Sequence, residues 1–327
     1  MFVNGSRFRP EQASGFYESY FQRANHPSRP LAFWIRYTVL RPQGRPEQAC
    51  GELWAIYFDG ESSRITAVKE VVPIGDCRFS PTGLDVRING ATLTDGALHG
   101  RAASSSHAFQ WALHYTGHEG PLLLLPASLY ERGFPKAKAL VGTPNAKYTG
   151  TLRVDGREIA IDGWQGSQNH NWGSRHTDRY AWGQVAGFDN APDSFLECAT
   201  AQVRLGPCWS PRLTFLVLRD EGQEMALNGL LQAARTSGTY DFFTWTIDAQ
   251  SPGVRIHGRI HAPASAFVGL AYRNPPGGTK TCLNTKLASA EITVERQGQP
   301  AKTLKTRHRA AFEILTDRTD HGVAIVA

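Results

Sequence analysis

The residues between Asp162 and Gln184 hold most of what this chain offers for chemistry. Trp164, Trp172 and Trp182, three of the eight tryptophans, fall there with His170 and His176, the amides Gln165, Gln168, Asn169, Asn171 and Gln184, and four glycines. An imidazole can exchange a proton near neutral pH. Amides hold polar atoms by hydrogen bonds, and indoles add large apolar faces with one donor each. Glycine beside amides permits unusual backbone angles, so the stretch reads as a turn that aims an imidazole and several amides toward an apolar cavity. The competing reading is a hydrogen-bonded plug linking two halves of the protein.

Other chemistries find little support. His257 and His261 are four residues apart, but their surroundings read as a strand, where that spacing is about 13 Å, too far for one metal. His114 and His118 straddle Thr116-Gly117, a turn, without a third ligand. Gly278-Thr279-Lys280-Thr281 mimics the end of a phosphate loop but lacks the adjacent Gly-Lys and the upstream glycine. There is no G-x-S-x-G elbow and no dinucleotide fingerprint. No metal site and no cofactor are expected. A net charge of +6 is modest for 327 residues. Its densest cluster, Lys302, Lys305, Arg307, His308 and Arg309, reads as a solvated strand face, and no nucleic-acid motif appears.

The elements that must position the candidate residues read as strands. Gly is frequent and Met nearly absent, and Thr, Val, Ile and aromatics recur in short runs cut by Gly, Asn, Asp and Pro. Phe33, Ile35, Tyr37 and Val39 share one strand face, as do Phe109, Trp111, Leu113 and Tyr115. Asn89-Gly90 and Asp95-Gly96 mark tight turns, and Leu152 to Ile161 forms a two-residue hairpin. Short helices are expected only at Glu11 to Ala24 and Ser128 to Arg132. A repeat is visible where Leu98-His99-Gly100-Arg101 and Ala108-Phe109 match Ile256-His257-Gly258-Arg259 and Ala266-Phe267 at one offset, while Asn145-Ala146-Lys147 and Asn284-Thr285-Lys286 each open a strand-like segment. The expected fold is all-β: two tandem antiparallel barrels or curved sheets, residues 1–173 and 174–327. A barrel of about eight strands has room for one small ligand.

Gln168-Asn169-His170-Asn171-Trp172-Gly173 resembles the Asp-His-Asn-Trp-Gly signature of the hydroxyneurosporene synthase (carotenoid 1,2-hydratase) family and its tocopherol-cyclase-like and lipocalin-like relatives. Tyr180-Ala181-Trp182-Gly183-Gln184 is similar to the aromatic strand opening their second domain, and Glu18-Ser19-Tyr20-Phe21 to the Glu-x-Tyr-Phe segment that begins their first. The resemblance implies tandem lipocalin-like domains. It also implies hydration, cyclisation or isomerisation of an apolar or isoprenoid-like molecule. The family's acid before His is Asn169 here, and an amide cannot protonate an alkene. That leaves His170 or Asp178 to substitute, or a pericyclic cyclisation guided by pocket shape. In this reading His170 is the acid/base or orienting group. Asn169, Asn171 and Gln184 fix polar atoms, and Trp172 and Trp182 form an apolar or cation-stabilising wall with Tyr180 and Trp164. The alternatives are a non-catalytic carrier or sensor with the same pocket and a structural double barrel without ligand.

The expected partner is a hydrophobic small molecule, not nucleic acid. The longest apolar run, Leu122 to Leu125, is far too short to span a bilayer. The first residues lack the apolar core of a signal peptide. The five cysteines, odd in number and without CxxC spacing, suit a reducing compartment. A cytoplasmic location follows as the expectation, with oligomeric state left open.

Overall fold

Alternating patterns and turn signals become strands along nearly the whole chain. In the computed structural model, which describes residues 3–12 and 14–327, one antiparallel sheet takes twelve strands: β1 (Phe16–Asn25), β2 (Leu31–Arg41), β3 (Cys50–Asp59), β4 (Arg64–Pro73), β5 (Cys77–Phe79), β6 (Asp85–Ile88), β7 (Ala91–Thr94), β8 (Ala97–Ala103), β9 (Ala108–Thr116), β10 (Leu122–Leu123), β11 (Ala137–Val154) and β12 (Arg157–Gly173). A second takes β13 (Arg179–Phe188), β14 (Ala191–Gln202), β17 (Leu213–Asp220), β18 (Gln223–Leu227), β19 (Ser237–Asp241), β20 (Thr244–Ser251), β21 (Val254–His261), β22 (Val268–Arg273), β23 (Thr279–Arg296) and β24 (Lys302–Thr316); β15 (Arg204–Leu205) and β16 (Cys208–Trp209) form a separate ribbon. The all-β expectation holds, with curved sheets and a nearly closed barrel.

Both sheets follow one plan. The order is β4-β3-β2-β1-β12-β11-β9-β8-β7-β6-β5 in the first and β18-β17-β14-β13-β24-β23-β21-β20-β19 in the second. In each, the opening strand pairs with the next strand and with the last, and the last two strands form a long hairpin. That hairpin shifts register between Thr143 and Ala146 in β11 and between Thr285 and Ala288 in β23. The two sheets are thus topological repeats, but the matched sequences are not their equivalents. Leu98 to Arg101 lies in β8, whose counterpart by position is β20, while Ile256 to Arg259 lies in β21, the counterpart of β9. Strand sequences with period two look alike wherever they occur, and the short match landed one strand out.

Burial separates strands with one covered face from strands with two. β9 alternates exposed and buried residues from end to end. β1, β2 and β3 are buried throughout: one face, with Tyr20, Phe33, Ile35 and Tyr37, enters the first core, and the other packs against the second sheet through Phe21, Trp34 and Trp54 beside Leu270, Tyr272 and Leu315. The Asp155-Gly156 turn, with φ of 51° and 83°, closes the hairpin expected there. The two expected helices are absent. Phe16–Asn25 is β1, and Ala127–Leu129 is a single 3-10 turn. The one α-helix among the described residues is α1 (Leu230–Arg235). The basic cluster near the end is a paired strand face: Lys302 meets Asp220 at 2.8 Å, Lys305 meets Glu291 at 2.9 Å and Arg309 meets Asp189 at 3.1 Å. No helix among the described residues is long and apolar enough to cross a membrane.

Candidate functional site

The stretch read as a turn is the second half of strand β12. From Trp164 to Gly173 it is almost continuously buried, because β1 and β11 flank it in the sheet and the second sheet covers it. Glycines there serve close strand contact: a Cβ on Gly166 would collide with the carbonyl of Arg23, and one on Gly173 with that of Lys136. Strand alternation then sends neighbours to opposite faces, which splits the candidate residues into two groups.

His170 and Trp172 belong to the face closed by the N-terminal segment. His170 Nε2 lies 2.9 Å from Glu18 Oε1 and its Nδ1 3.1 Å from the Val3 carbonyl, and its ring stacks on Tyr20 with centroids 4.1 Å apart. Glu18 also accepts from Ser6 Oγ at 2.6 Å and from the backbone N–H groups of Arg7 at 2.9 Å and Phe8 at 3.1 Å. Burial pushes the Glu18 carboxyl up, but the His170, Ser6 and backbone donors outweigh it and hold it below the usual range. The Arg7 guanidinium covers Trp172 at 3.7 Å. His170 borders the cavity described below, yet its ring exposes no surface. Trp172 packs with Tyr130, Leu140 and Phe215 behind the cavity wall, and Trp164 lies in the first core against Phe33.

Asn169 and Asn171 point the other way, into a cavity of about 190 Å³ between the two sheets. Tyr17, Phe21, Trp34 and Arg36 enter it from the first sheet, and Tyr180, Trp182, Glu197, Tyr272 and Glu313 from the second. Its rim carries the exposed apolar side chains Phe134 and Leu230. His176 also lines it, its ring tilted against Tyr17 with centroids 4.1 Å apart. Burial pulls its imidazole down to about 3, so it is neutral and too weak to act as a base. Asp178 does not line the cavity; its carboxylate accepts from Arg175 Nη2 at 2.5 Å and from the Arg204 N–H at 2.8 Å.

A hydrogen-bonded chain runs along the cavity floor. Gln184 Oε1 accepts from Arg23 Nε at 2.7 Å and Ser167 Oγ at 2.6 Å. Its Nε2 donates to Asn169 Oδ1 and to Glu197 Oε2, both at 2.8 Å. Trp182 Nε1 donates to the other oxygen of Glu197 at 2.8 Å. Burial pushes the Glu197 carboxyl up to about 7, against the hydrogen bonds from Trp182 and Gln184 and the charge of Arg23. Glu313 is paired, accepting from Lys286 Nζ at 2.9 Å and Asn284 Nδ2 at 2.8 Å. The arrangement joins an apolar, aromatic chamber to one carboxyl group that holds its proton near neutrality.

The cavity thus gathers Asn169, Asn171, Tyr180 and Trp182, sets Gln184 beneath them, and leaves Trp164, Trp172 and Asp178 outside. Sequence reading passed over Glu197, Arg36 and Trp34. One signal was present: Glu197 is a lone acid within Phe195 to Ala201, and Arg36 a lone base within Leu31 to Leu40. Charges in runs that apolar need partners when buried.

No family model matches the sequence, and no curated protein does. Solved structures do. A putative AttH from Nitrosomonas europaea is similar with a TM-score of 0.59 at 14% identity, over 97% of this chain and 96% of that one. Kievitone hydratase from Nectria haematococca is similar with a TM-score of 0.59 at 12% identity, over 94% of this chain and 91% of the other. At these identities the likeness is one of fold.

Proposed function

We propose that the cavity between the sheets binds a compact apolar, isoprenoid-like molecule and that Glu197 exchanges the proton for its hydration, cyclisation or isomerisation. The observation that carries this reading is a buried carboxyl group on an aromatic cavity wall, held by two uncharged donors and, among the described residues, touched by no cation. Protonating an alkene needs an acid strong enough to give up its proton and still protonated when substrate arrives, and a carboxyl raised toward neutrality meets both needs. In hydration, Glu197 would give its proton to one alkene carbon, leaving a carbocation and a carboxylate. Water would add to the cation, and the proton it sheds would return to Glu197, so that one water is added overall. The faces of Trp34, Trp182, Tyr180 and Tyr272 would stabilise the positive charge. Asn169 takes the place of an acid only as a spacer that orients Gln184. The hydratase of the same fold in Nectria haematococca supports the reaction class. A volume of about 190 Å³ favours one or two rings or a short isoprenoid over a long polyene.

The test has two parts. Geraniol should quench or shift tryptophan emission, since Trp34 and Trp182 line the cavity. In D2O the protein should also place deuterium on a carbon of geraniol or its product, read by mass spectrometry, and Glu197→Gln should abolish that uptake while keeping the fluorescence response. Binding without deuterium uptake would leave a carrier. No response from geraniol or other compact apolar probes would overturn the reading altogether.

A further inference from the structure

The cavity holds a cation that, among the described residues, no carboxylate touches. Arg36 is 4% exposed and lines the cavity beside the Tyr272 ring, 4.5 Å from its centroid. Its Nη2 donates to Ser19 Oγ at 2.6 Å; among the described residues its Nε has no hydrogen-bond partner and no carboxylate forms an ion pair with it. The two carboxyl groups lining the same cavity are engaged elsewhere: Glu313 with Lys286 and Asn284, Glu197 with Trp182 and Gln184. Two residues back on the same face of β2, Trp34 is 1% exposed and its Nε1–H has no acceptor among the described residues. Burial opposes the charge of Arg36, but the tyrosines Tyr272 and Tyr180 and, at longer range, Glu52 and Glu313 outweigh it and hold the guanidinium charged. Glu52 is itself paired with Arg273 and Lys69, so what Arg36 lacks is a contacting acceptor, and a buried donor left unpaired is costly. Arg36 and Trp34 share one strand face, both line the cavity, and each carries a buried donor without an acceptor among the described residues, which points to an acceptor that arrives with the ligand.

We infer that the ligand of this cavity is a flat apolar molecule ending in an anionic oxygen, which sits on Arg36 with Trp34 Nε1 as the second donor. A planar guanidinium suits a carboxylate or phenolate oxygen, which can take two of its N–H groups at once. The Tyr272 face and the indole of Trp34 then cover the flat body of the ligand, and Glu197 on the opposite sheet faces its far part. This rests on the proposed function, because it takes the cavity to be a ligand site, and it adds the chemical class that the site selects.

Two probes of equal size separate the inference from the reading beneath it. At pH 6, 2-naphthoate is ionised and 2-naphthalenemethanol is neutral. Calorimetric titration should show naphthoate binding at least tenfold more tightly than the alcohol. Arg36→Met should reduce that ratio to near one by weakening naphthoate alone. If Arg36→Met does not fold, Trp34→Phe should cut the ratio several-fold, since it removes one donor and keeps an aromatic ring. Equal affinities in the native protein, or a preference that survives whichever of these variants folds, would overturn the inference while leaving the cavity a ligand site. If neither probe binds, the proposed function falls with it.

Discussion

Burial governs the behaviour of Glu197. Arg23 touches it only through Gln184; its charge and the two hydrogen bonds do not outweigh the loss of water, and the carboxyl is pushed up to about 7. Its pKa in the folded protein therefore exceeds that of the unfolded chain, near 4.5. The stabilising contribution of the bound proton is fully present below pH 4.5 and is lost as pH rises through 7, at most about 3 kcal/mol. Urea denaturation at pH 5 and pH 8 should show the native protein losing more stability across that window than Glu197→Gln; equal losses would refute the shift. His170 behaves in the opposite way. Both ring nitrogens are engaged and the ring is sealed, so His170→Ala leaves Glu18 and Val3 short of partners at about 1–3 kcal/mol each. Thermal melting should fall by several degrees while affinity of the remaining folded protein for geraniol changes little; weakened binding at unchanged stability would return His170 to the site. The concentration of Trp, His and amides made this region stand out in sequence, but which of its residues face a cavity depends on strand parity. The acid stood out in sequence only as a lone charge in an apolar run, and its tie to Asn169 was illegible because Gln184 meets Glu197 only through the pairing of β13 with β14.

At the scale of the element, β12 is a single strand with two uses. Its first half closes a hairpin with β11, and its second half divides residues between the N-terminal plug and the cavity. Glycine content argued for a turn there, and composition alone cannot separate a turn from a strand packed tightly against its neighbours. Gly166 shows the difference: it pairs with Ala24 in β1 and Ala146 in β11, and its missing side chain lets the carbonyl of Arg23 approach. Gly166→Ala should push β1 from β12 beside Arg23, whose Nε holds Gln184. The expected result is a loss of stability of about 1–3 kcal/mol together with weaker geraniol binding. A Gly166→Ala protein with native melting temperature and native affinity would show that the close approach is not needed. The repeat was legible at the same scale only in outline. Duplicated strand order leaves its mark in the long hairpins and their register shifts, whereas four-residue matches between strands slide freely.

The whole molecule is held by the meeting of two sheet faces that are partly charged. Lys286 on β23 exposes no side-chain surface, donates to Glu313 and Asn284, and its backbone carbonyl accepts from Asn25 Nδ2 at 2.6 Å across the interface. The sequence marks Lys286 only as the opening of a strand and not as buried, because its cover comes from Asn25 of β1 and Trp34 of β2 in the other sheet. Tandem all-β organisation was readable from turn signals and alternation; the packing of the two sheets was not, since strands buried on both faces, such as β2, read as ordinary apolar runs with stray charges. The pair makes a definite prediction about what the interface tolerates. Lys286→Met removes the cation and leaves Glu313 buried with only the neutral donors Asn284 Nδ2 and Cys282 Sγ, which should cost about 3–5 kcal/mol. Adding Glu313→Gln removes the stranded charge and keeps an acceptor for Asn284, so the double variant should recover most of that loss. Urea denaturation of the native protein, both single variants and the double variant gives the coupling directly. If the double variant is as unstable as the sum of the singles, Lys286 and Glu313 act independently and the interface is held by its aromatic contacts instead.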